Sequence, residues 1–406
     1  MVKEHNWRIH EGVFALLAFF LVLFVNRGIP FLTLPSPVQV LWTTGFSQCM
    51  ANGALFDFFA HDIGIPKPAS IAFGLAGAWP ASLLIRLGLH PADAYAGMAA
   101  FWLGIAMLSA YRIVRRFGGT RLIALFCSLI WMTMPVIWGH NGYSMLSLGI
   151  ALLSFYFMTA FRLFYFDVKE ARVASSSIAL YFVAAIVSVF MDGYTFMMFA
   201  VGASFLLFYS LLTHPEIRSM LVKVSIPIHV CSFALAYVLY VIYIGKPNFE
   251  AHSIDFFRGW GLDLAFTAIP TKGILWLPDL LGMGAARTDM LYFGDRSVWE
   301  TTFVLPVILL GLLAWSRVRH KTKIATGVLL VAAFAFYMAL GPSLKINSAK
   351  PEALQLSRPG QQSALMVPEL LSPRQGMPGY LKNCPVLMSC ALLIGGQRLV
   401  SLLCGP

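Results

Sequence analysis

The sequence has few charged residues, and this scarcity excludes most classes of soluble protein. Asp, Glu, Lys and Arg together make up 12% of the 406 residues, about half of the usual ~25% in soluble domains. Hydrophobic residues make up 59%, and the mean hydropathy is +0.75. So little polar surface cannot solvate a globular fold, which excludes a soluble enzyme, a disordered chain and a nucleic-acid-binding domain. The composition predicts a polytopic membrane protein whose partner is the lipid bilayer, with no nucleic-acid partner.

Several chemical motifs are also missing. The six cysteines include no Cys-x-x-Cys pair, so neither a disulfide framework nor a zinc site is expected. The sequence contains no phosphate-binding GxxxxGK[ST] loop, no HExxH and no GxSxG. The lack of a phosphate-binding loop argues against a cytoplasmic nucleotide as an activated substrate.

The apolar runs define the fold class, because a membrane-spanning helix needs ~20 mostly apolar residues. They predict an all-α integral membrane protein of about nine to ten transmembrane helices, with long extracytoplasmic loops that carry interfacial helices. A further run, 385–397, is short, and the run 69–89 contains Pro80 and Arg86, so we interpret it as re-entrant or interfacial. The nine runs interpreted as spans are 12–25, 94–111, 122–138, 142–165, 176–191, 194–212, 223–245, 301–316 and 324–340.

The distribution of Lys and Arg predicts the orientation of the chain. With a cytoplasmic N-terminus, the short inner segments hold about half of the 29 Lys and Arg residues, as the positive-inside rule requires. The two short outer turns, 139–141 and 192–193, hold none. This register predicts a multi-pass membrane protein with a cytoplasmic N-terminus. It divides into a transmembrane domain, 1–345, and an extracytoplasmic segment with a short apolar tail, 346–406.

The soluble mass is predicted on the outer face, in loops 27–93 and 246–300. The densest polar cluster lies in the first of these loops, where Asp57, His61 and Asp62 follow an aromatic stretch. Asp57 and His61 are four residues apart and would share a face of a helix. A carboxylate held at the bilayer surface is partly desolvated, which makes it a better base. The alternative interpretation is an interfacial helix with a capping Asp and a solvated loop.

Other polar residues are candidates for substrate binding, each with a structural alternative. Asp192 lies in a tight outer turn, where ionisable groups are functional candidates, although Asp-Gly also favours a simple turn. His140 lies in another outer turn, for which a purely structural role is favoured, but it could share a cavity with Asp192. Arg258 and Lys272 lie in loop 246–300 and could hold a phosphate through charge-assisted hydrogen bonds, or belong to a solvated loop.

The layout resembles the GT-C class of integral-membrane glycosyltransferases. The resemblance covers roughly residues 1–380: one span, a long acidic outer loop, then many spans with further long outer loops. The stretch Phe56–Pro68, continuing to Asp93–Tyr95, and the later stretch Ala339–Lys345 look like bacterial members that decorate O-antigen (lipopolysaccharide) or other surface glycans of the cell envelope.

This resemblance implies a reaction. A sugar on a polyprenyl phosphate is transferred to a surface-glycan or lipid acceptor, with inversion, and an acidic residue of the first outer loop acts as general base. The candidates carried over are Asp62, which we prefer because it lies beside His61, and Asp57. Arg258 and Lys272 would stabilise the leaving phosphate. No cofactor is required, although some members of the class bind a divalent metal.

Two competing functions remain open. A transporter or flippase for a lipid-linked or small anionic substrate should carry ionisable groups within its spans, whereas the acidic residues here lie at span ends and in outer loops. A non-catalytic partner in surface-glycan assembly is the third interpretation. It follows from a hypothesis of truncation: codons for Asn383–Cys390, read two bases later, can encode Leu-Pro-Gly-Leu-Asn-Val-Met-Arg, similar to the class's Pro-Gly…Met-Arg-Ala stretch.

Overall fold

The structure is a computed structural model, and it describes most of the chain as helices. The described residues are 2–64, 66–142, 145–169, 173–245, 254–294, 296–320 and 322–351. The run 385–397, the proposed frame slip, and most of the predicted segment 346–406 lie outside these residues. The chain divides into two compact units, Met1–Lys246 and Pro247–Pro406, which are described separately below.

The described residues of both units are helical and contain no strand beyond isolated bridges. Unit 1 contains helices α1 Val2–Val25, α2 Gly45–Asn52, α3 Leu75–Arg86, α4 Pro91–Arg116, α5 Arg121–Met132, α6 Leu146–Phe161, α7 Ser175–Met191, α8 Gly193–Thr213 and α9 Ile226–Ile244. Unit 2 contains α10 Ile254–Trp260, α11 Leu264–Ala268, α12 Trp276–Leu280, α13 Arg296–Glu300, α14 Leu305–Val318 and α15 Ile324–Ala339. Short helical turns flank several of them.

The helices confirm the predicted fold class, an all-α multi-pass membrane protein. Five helical segments are long and apolar enough to cross a membrane: Pro91–Arg116, Arg121–Trp138, Leu146–Lys169, Gly193–Thr213 and Pro215–Ile244. Four shorter apolar helices are Glu11–Val25, Ser175–Met191, Leu305–Val318 and Ile324–Ala339. These nine helices coincide with the nine predicted spans, because an apolar run of this length in lipid must satisfy its backbone internally as a helix.

Helix α3 accounts for the apolar run that was predicted not to span. It has 12 residues, with Pro80 inside it, and is therefore about 18 Å long at ~1.5 Å per residue. This length falls well short of the ~30 Å hydrocarbon core. Arg86, at its end, donates to the carbonyl oxygens of Met50, Gly53 and Ala54 at 2.6, 2.8 and 3.0 Å. Arg86 therefore satisfies carbonyls in the last turn of α2 and just after it, and joins two helices of the first loop.

The packing of unit 1 centres on α6, of which most residues are buried. Helix α4 packs on α6 and α5, and α7 packs on α9 and α6. Helix starts follow local rules: Thr120 caps α5 by accepting from the Ile123 amide at 3.3 Å, and Pro91 opens α4 at a position where its missing N–H costs nothing. The first loop, residues 27–90 in the structure, lies at the end of the bundle where α1 ends and α4 begins.

Candidate functional site

The first loop folds back on itself around a paired carboxylate and imidazole. Asp57 Oδ2 lies 2.7 Å from His61 Nε2, and Asp57 Oδ1 accepts from the Phe59 amide at 3.1 Å. Residues 57–61 do not form the expected helix. The Asp57 side chain satisfies a nearby amide, which favours a turn over a helix, and Ala60 then pairs with Ala69 through two backbone hydrogen bonds of 2.9 Å. The structure thus brings the two residues together in a turn.

The surroundings of the Asp57 carboxylate favour its ionised form. The hydrogen bond from the Phe59 amide, followed by the contact with His61, lowers the pKa of Asp57 below its usual value. Asp57 therefore stays ionised at neutral pH. The side chains of His61 and Asp57 are 59% and 25% exposed, so the imidazole is accessible to a substrate while the carboxylate orients it from behind. The nitrogens of an imidazole can serve as proton acceptor or donor.

Asp62, the preferred base, has a different environment. It is exposed, and it hydrogen-bonds the thiol of Cys49, whose pKa is raised first by burial and then by the Asp62 charge. Asp62 is therefore an accessible carboxylate at the end of α2. Asp62 follows His61 in the sequence, but the carboxylate in hydrogen-bond contact with the His61 ring is that of Asp57.

The first loop is fixed on the turn that contains Asp192. The Gly74 amide donates to the Phe190 carbonyl at 3.0 Å. A Cβ at Gly193 would lie 2.6 Å from the Phe73 ring, so only glycine allows this approach. Phe73 in turn stacks on Tyr240 of α9, with ring centroids 6.0 Å apart. The loop and the turn, which are more than a hundred residues apart in the chain, therefore form one packed surface.

Tyr243 of α9 hydrogen-bonds two backbone positions of the first loop. Its hydroxyl donates to the Phe58 carbonyl at 2.8 Å and accepts from the Ile71 amide at 3.1 Å. Phe58 directly follows Asp57 in the chain. Tyr243 therefore fixes the backbone that carries the Asp57 side chain. A polar pair on a packed, hydrogen-bonded loop is preorganised in the way that acid–base chemistry requires.

Asp192 itself is a helix cap rather than an accessible ligand. Its side chain is buried, with 4% of the residue exposed, and its Oδ1 accepts from the Tyr194 and Thr195 amides at 2.9 and 3.1 Å. Burial raises the pKa of Asp192 to about 6, and the two amides oppose that shift. Asp192 therefore caps the start of α8 and holds the turn on which the first loop packs.

The Asp192 cap makes a pH-dependent contribution to stability. Because the folded pKa, about 6, exceeds the unfolded value of ~3.9, the folded state binds more protons, and stability falls as pH rises from about 4 to about 6. Asp192→Asn should remove this slope and retain the cap, whereas Asp192→Ala should cost roughly 0.5–2 kcal/mol. Thermal unfolding of the purified protein between pH 4 and 7 measures both. An unchanged slope in Asp192→Asn would assign the titration to another group.

His140 lies in a separate turn. Its Nδ1 is 2.6 Å from the Val136 carbonyl oxygen, and the ring is half-buried. The next residue, Asn141, accepts from the Ser147 hydroxyl at 2.6 Å. The structure thus ties His140 to its own turn, and its predicted place in one cavity with Asp192 stays a prediction.

Unit 2 contains a second polar cluster, organised by Asp263. This carboxylate is buried, with 1% of the residue exposed, and it accepts from the amides of Ala265, Asn347 and Ser348 at 2.9, 2.7 and 2.8 Å. The Leu264 amide also donates to the Lys345 carbonyl at 3.0 Å. Asp263 therefore caps α11 and clamps the segment after α15.

Cationic side chains are buried around this clamp. Lys345 is 2% exposed and donates from Nζ to the Gly259 carbonyl at 2.9 Å. Burial lowers its pKa to about 8, while the Asp263 charge partly opposes this. Arg258, which precedes Gly259, is 9% exposed. Arg287 and Lys350 are buried too, and burial also lowers the pKa of each. Among the described residues of unit 2, four cations and one carboxylate are thus buried, and backbone carbonyls accept hydrogen bonds from Arg287, Lys345 and Lys350.

The two predicted phosphate-binding residues therefore have different environments. Arg258 is buried beside the Lys345 contact, whereas Lys272 is exposed in the loop between α11 and α12. The sequence did not single out Lys345, Arg287 or Lys350 for binding. The segment 341–350, which contains both lysines, mixes polar and apolar residues, so the sequence carried no signal of their burial.

A buried histidine in a span was also missed. His229 of α9 is 8% exposed, and its Nδ1 and Nε2 lie 2.7 Å from the Tyr181 hydroxyl and 2.9 Å from the Ser204 hydroxyl. The signal was present, since ionisable residues within spans are rare. Both ring nitrogens are hydrogen-bonded, so the residue joins α7, α8 and α9.

Within the described ranges, no group of three or more His, Cys, Asp or Glu residues is arranged to hold a metal ion. Comparisons with known proteins give no relative: no family model, curated protein or solved structure matches the chain. The function must therefore be inferred from the residues and their geometry.

Proposed function

We propose that this protein is a GT-C-type membrane glycosyltransferase. It transfers a sugar from a polyprenyl-phosphate donor to a surface-glycan or lipid acceptor on the extracytoplasmic face of a bacterial inner membrane, with the N-terminus in the cytoplasm. The observation that carries the proposal is the Asp57–His61 pair, 2.7 Å apart, on an ordered loop at the end of the bundle that the charge distribution assigns to the outer face.

The proposed chemistry is a single displacement. The acceptor hydroxyl oxygen attacks the anomeric carbon as the bond from that carbon to the phosphate oxygen breaks, and the configuration inverts. The hydroxyl proton passes to a base in the first loop, and polyprenyl phosphate leaves. His61 is suited to take the proton because ionised Asp57 orients its ring and stabilises the imidazolium. Asp62 is the second candidate, an accessible carboxylate beside His61.

The leaving group requires positive charge, because the transition state places negative charge on the phosphate. The resemblance to the GT-C class assigns this role to Arg258, which is buried, and to Lys272, which is exposed. This assignment requires no metal, and a divalent ion would be an additional ligand of the phosphate.

One observation supports the transporter or flippase as a second candidate. His229 is an ionisable group buried within a span, which is the feature expected of a substrate or proton pathway. Its two hydrogen bonds, however, give it a structural role in joining three helices. The enzyme is therefore the function that the geometry supports better.

Reconstitution distinguishes these functions. Proteoliposomes containing the purified chain, a polyprenyl-phosphate sugar and a lipid-linked oligosaccharide acceptor are sampled by mass spectrometry. The enzyme should release polyprenyl phosphate and lengthen the acceptor by one sugar. A transporter should move the intact donor between leaflets without cleaving it, and a non-catalytic partner should do neither. A panel of donors should be used, each carrying a different single hexose or pentose. If none of them is cleaved and the intact lipid moves between leaflets, the proposal is overturned.

A further inference from the structure

An apolar groove lies between α1, α4 and α5, at the opposite end of the helices from the first loop. Its volume is about 520 Å³, within the ~300–1,000 Å³ typical of ligand sites. Apolar side chains of the three helices line it, with Glu11, Tyr111 and Arg121 at one end. Gly104, at the middle of α4, forms part of the wall. Leu108 and Leu122, which also line it, are 49% and 56% exposed, so the groove opens to the lipid.

The groove extends over most of one bilayer leaflet. From Glu11 to Phe19 on α1, or from Gly104 to Tyr111 on α4, it extends about 10–12 Å along the helix axes at ~1.5 Å per residue. Half of the hydrocarbon core is about 15 Å. The apolar part therefore runs from near the middle of the membrane to the interface where the polar residues lie.

The polar end of the groove is basic. Arg121 lines this end together with Glu11, and Arg112, which is exposed, directly follows the lining residue Tyr111 on α4. Arg121 pairs with Glu11 at 3.0 Å, and both side chains are about half exposed. Since exposed ion pairs contribute little, Arg121 can exchange this partner for a lipid phosphate at small cost.

From these features we infer that the groove binds one anionic glycerophospholipid, with an acyl chain along α1, α4 and α5 and its phosphate at Arg121 and Arg112. An apolar wall that ends at an arginine matches a lipid, which carries an acyl chain and a phosphate, better than it matches an apolar helix. The site is distinct from the proposed donor site, which uses the outer loops.

Two substitutions test the inference, each with a matched control. Gly104→Leu should fill the groove, since a Cβ at this position would lie 3.5 Å from the Phe19 ring, an ordinary contact. Gly311→Leu on α14 is its control, because a Cβ there meets nothing within 4 Å. Arg121→Gln removes charge from the groove mouth, and Arg317→Gln removes a comparable exposed Arg at the end of α14. Should Gly104→Leu fail to purify as a single species, Ala15→Leu fills the groove from α1.

The readout is native mass spectrometry of the delipidated full chain, titrated with phosphatidylglycerol or phosphatidylcholine of identical acyl chains. The wild type should retain one phosphatidylglycerol in preference to phosphatidylcholine. Gly104→Leu should weaken binding about tenfold, the effect of losing about two buried methylene groups. Arg121→Gln should weaken phosphatidylglycerol alone, about fivefold. Equal retention of both lipids by the wild type, or equal losses in Gly104→Leu and Gly311→Leu, would overturn the site.

Discussion

His61→Gln and Asp57→Asn should each reduce sugar transfer by about 10²–10⁴-fold, the range over which positioned acid–base groups contribute. His61→Gln removes the group that takes the acceptor proton. Asp57→Asn removes the negative charge that holds the imidazole 2.7 Å away and stabilises its protonated form. Both losses should appear in kcat rather than KM, because proton transfer belongs to the chemical step.

The comparison with Asp62→Asn decides which residue acts as base. If Asp62 is the base, as the sequence favoured, then Asp62→Asn should show the large loss and His61→Gln a small one. Asp289→Asn, an exposed acidic residue of unit 2, serves as control and should retain full activity. Full activity in Asp57→Asn, His61→Gln and Asp62→Asn alike would remove the first loop from the reaction.

Asp263→Ala should destabilise unit 2 by roughly 3 kcal/mol, since three backbone amides lose their acceptor and each such loss costs about 1 kcal/mol. The substitution leaves the buried Ser348 amide and the partly buried Ala265 and Asn347 amides without their acceptor. It also removes the charge that opposes the desolvation of Lys345.

Thermal unfolding of the purified protein measures this effect, with Asp289→Ala as an exposed control. The Lys345 pKa of about 8 lies below the unfolded value of ~10.4, so the unfolded state binds more protons between these values and stability rises with pH across that window. Adding Lys345→Met to Asp263→Ala should recover part of the loss and remove the slope. If Asp263→Ala is as stable as Asp289→Ala, the hydrogen bonds of Asp263 do not stabilise unit 2.

The fold was largely predictable because each span corresponds to a local apolar run in the sequence. Nine apolar runs became nine apolar helices, and the Pro80-containing run became a helix too short to cross. The site was only partly predictable. The spacing of Asp57 and His61 predicted their pairing through a helix, but the Asp57 side chain formed a turn and paired them there.

Contacts between distant parts of the chain explain what the sequence could not show. Asp263 binds amides 84 and 85 residues away, and no local pattern announces such a clamp. Asp192 precedes a glycine, which suits both a functional turn and a helix cap, and only its two amide contacts reveal the cap. Local periodicity therefore fixed the helices, while burial of polar groups had to be read from the structure.

The mass of the host's surface-glycan repeat unit tests the central claim most directly. It should be compared between cells that carry this gene, cells in which it is deleted, and deleted cells that express wild type or His61→Gln. The proposed function predicts one additional sugar mass in the presence of the gene, lost on deletion and restored by the wild type but not by His61→Gln. An identical repeat-unit mass in all four strains, with the protein present in the membrane, would contradict a glycosyltransferase acting on that glycan.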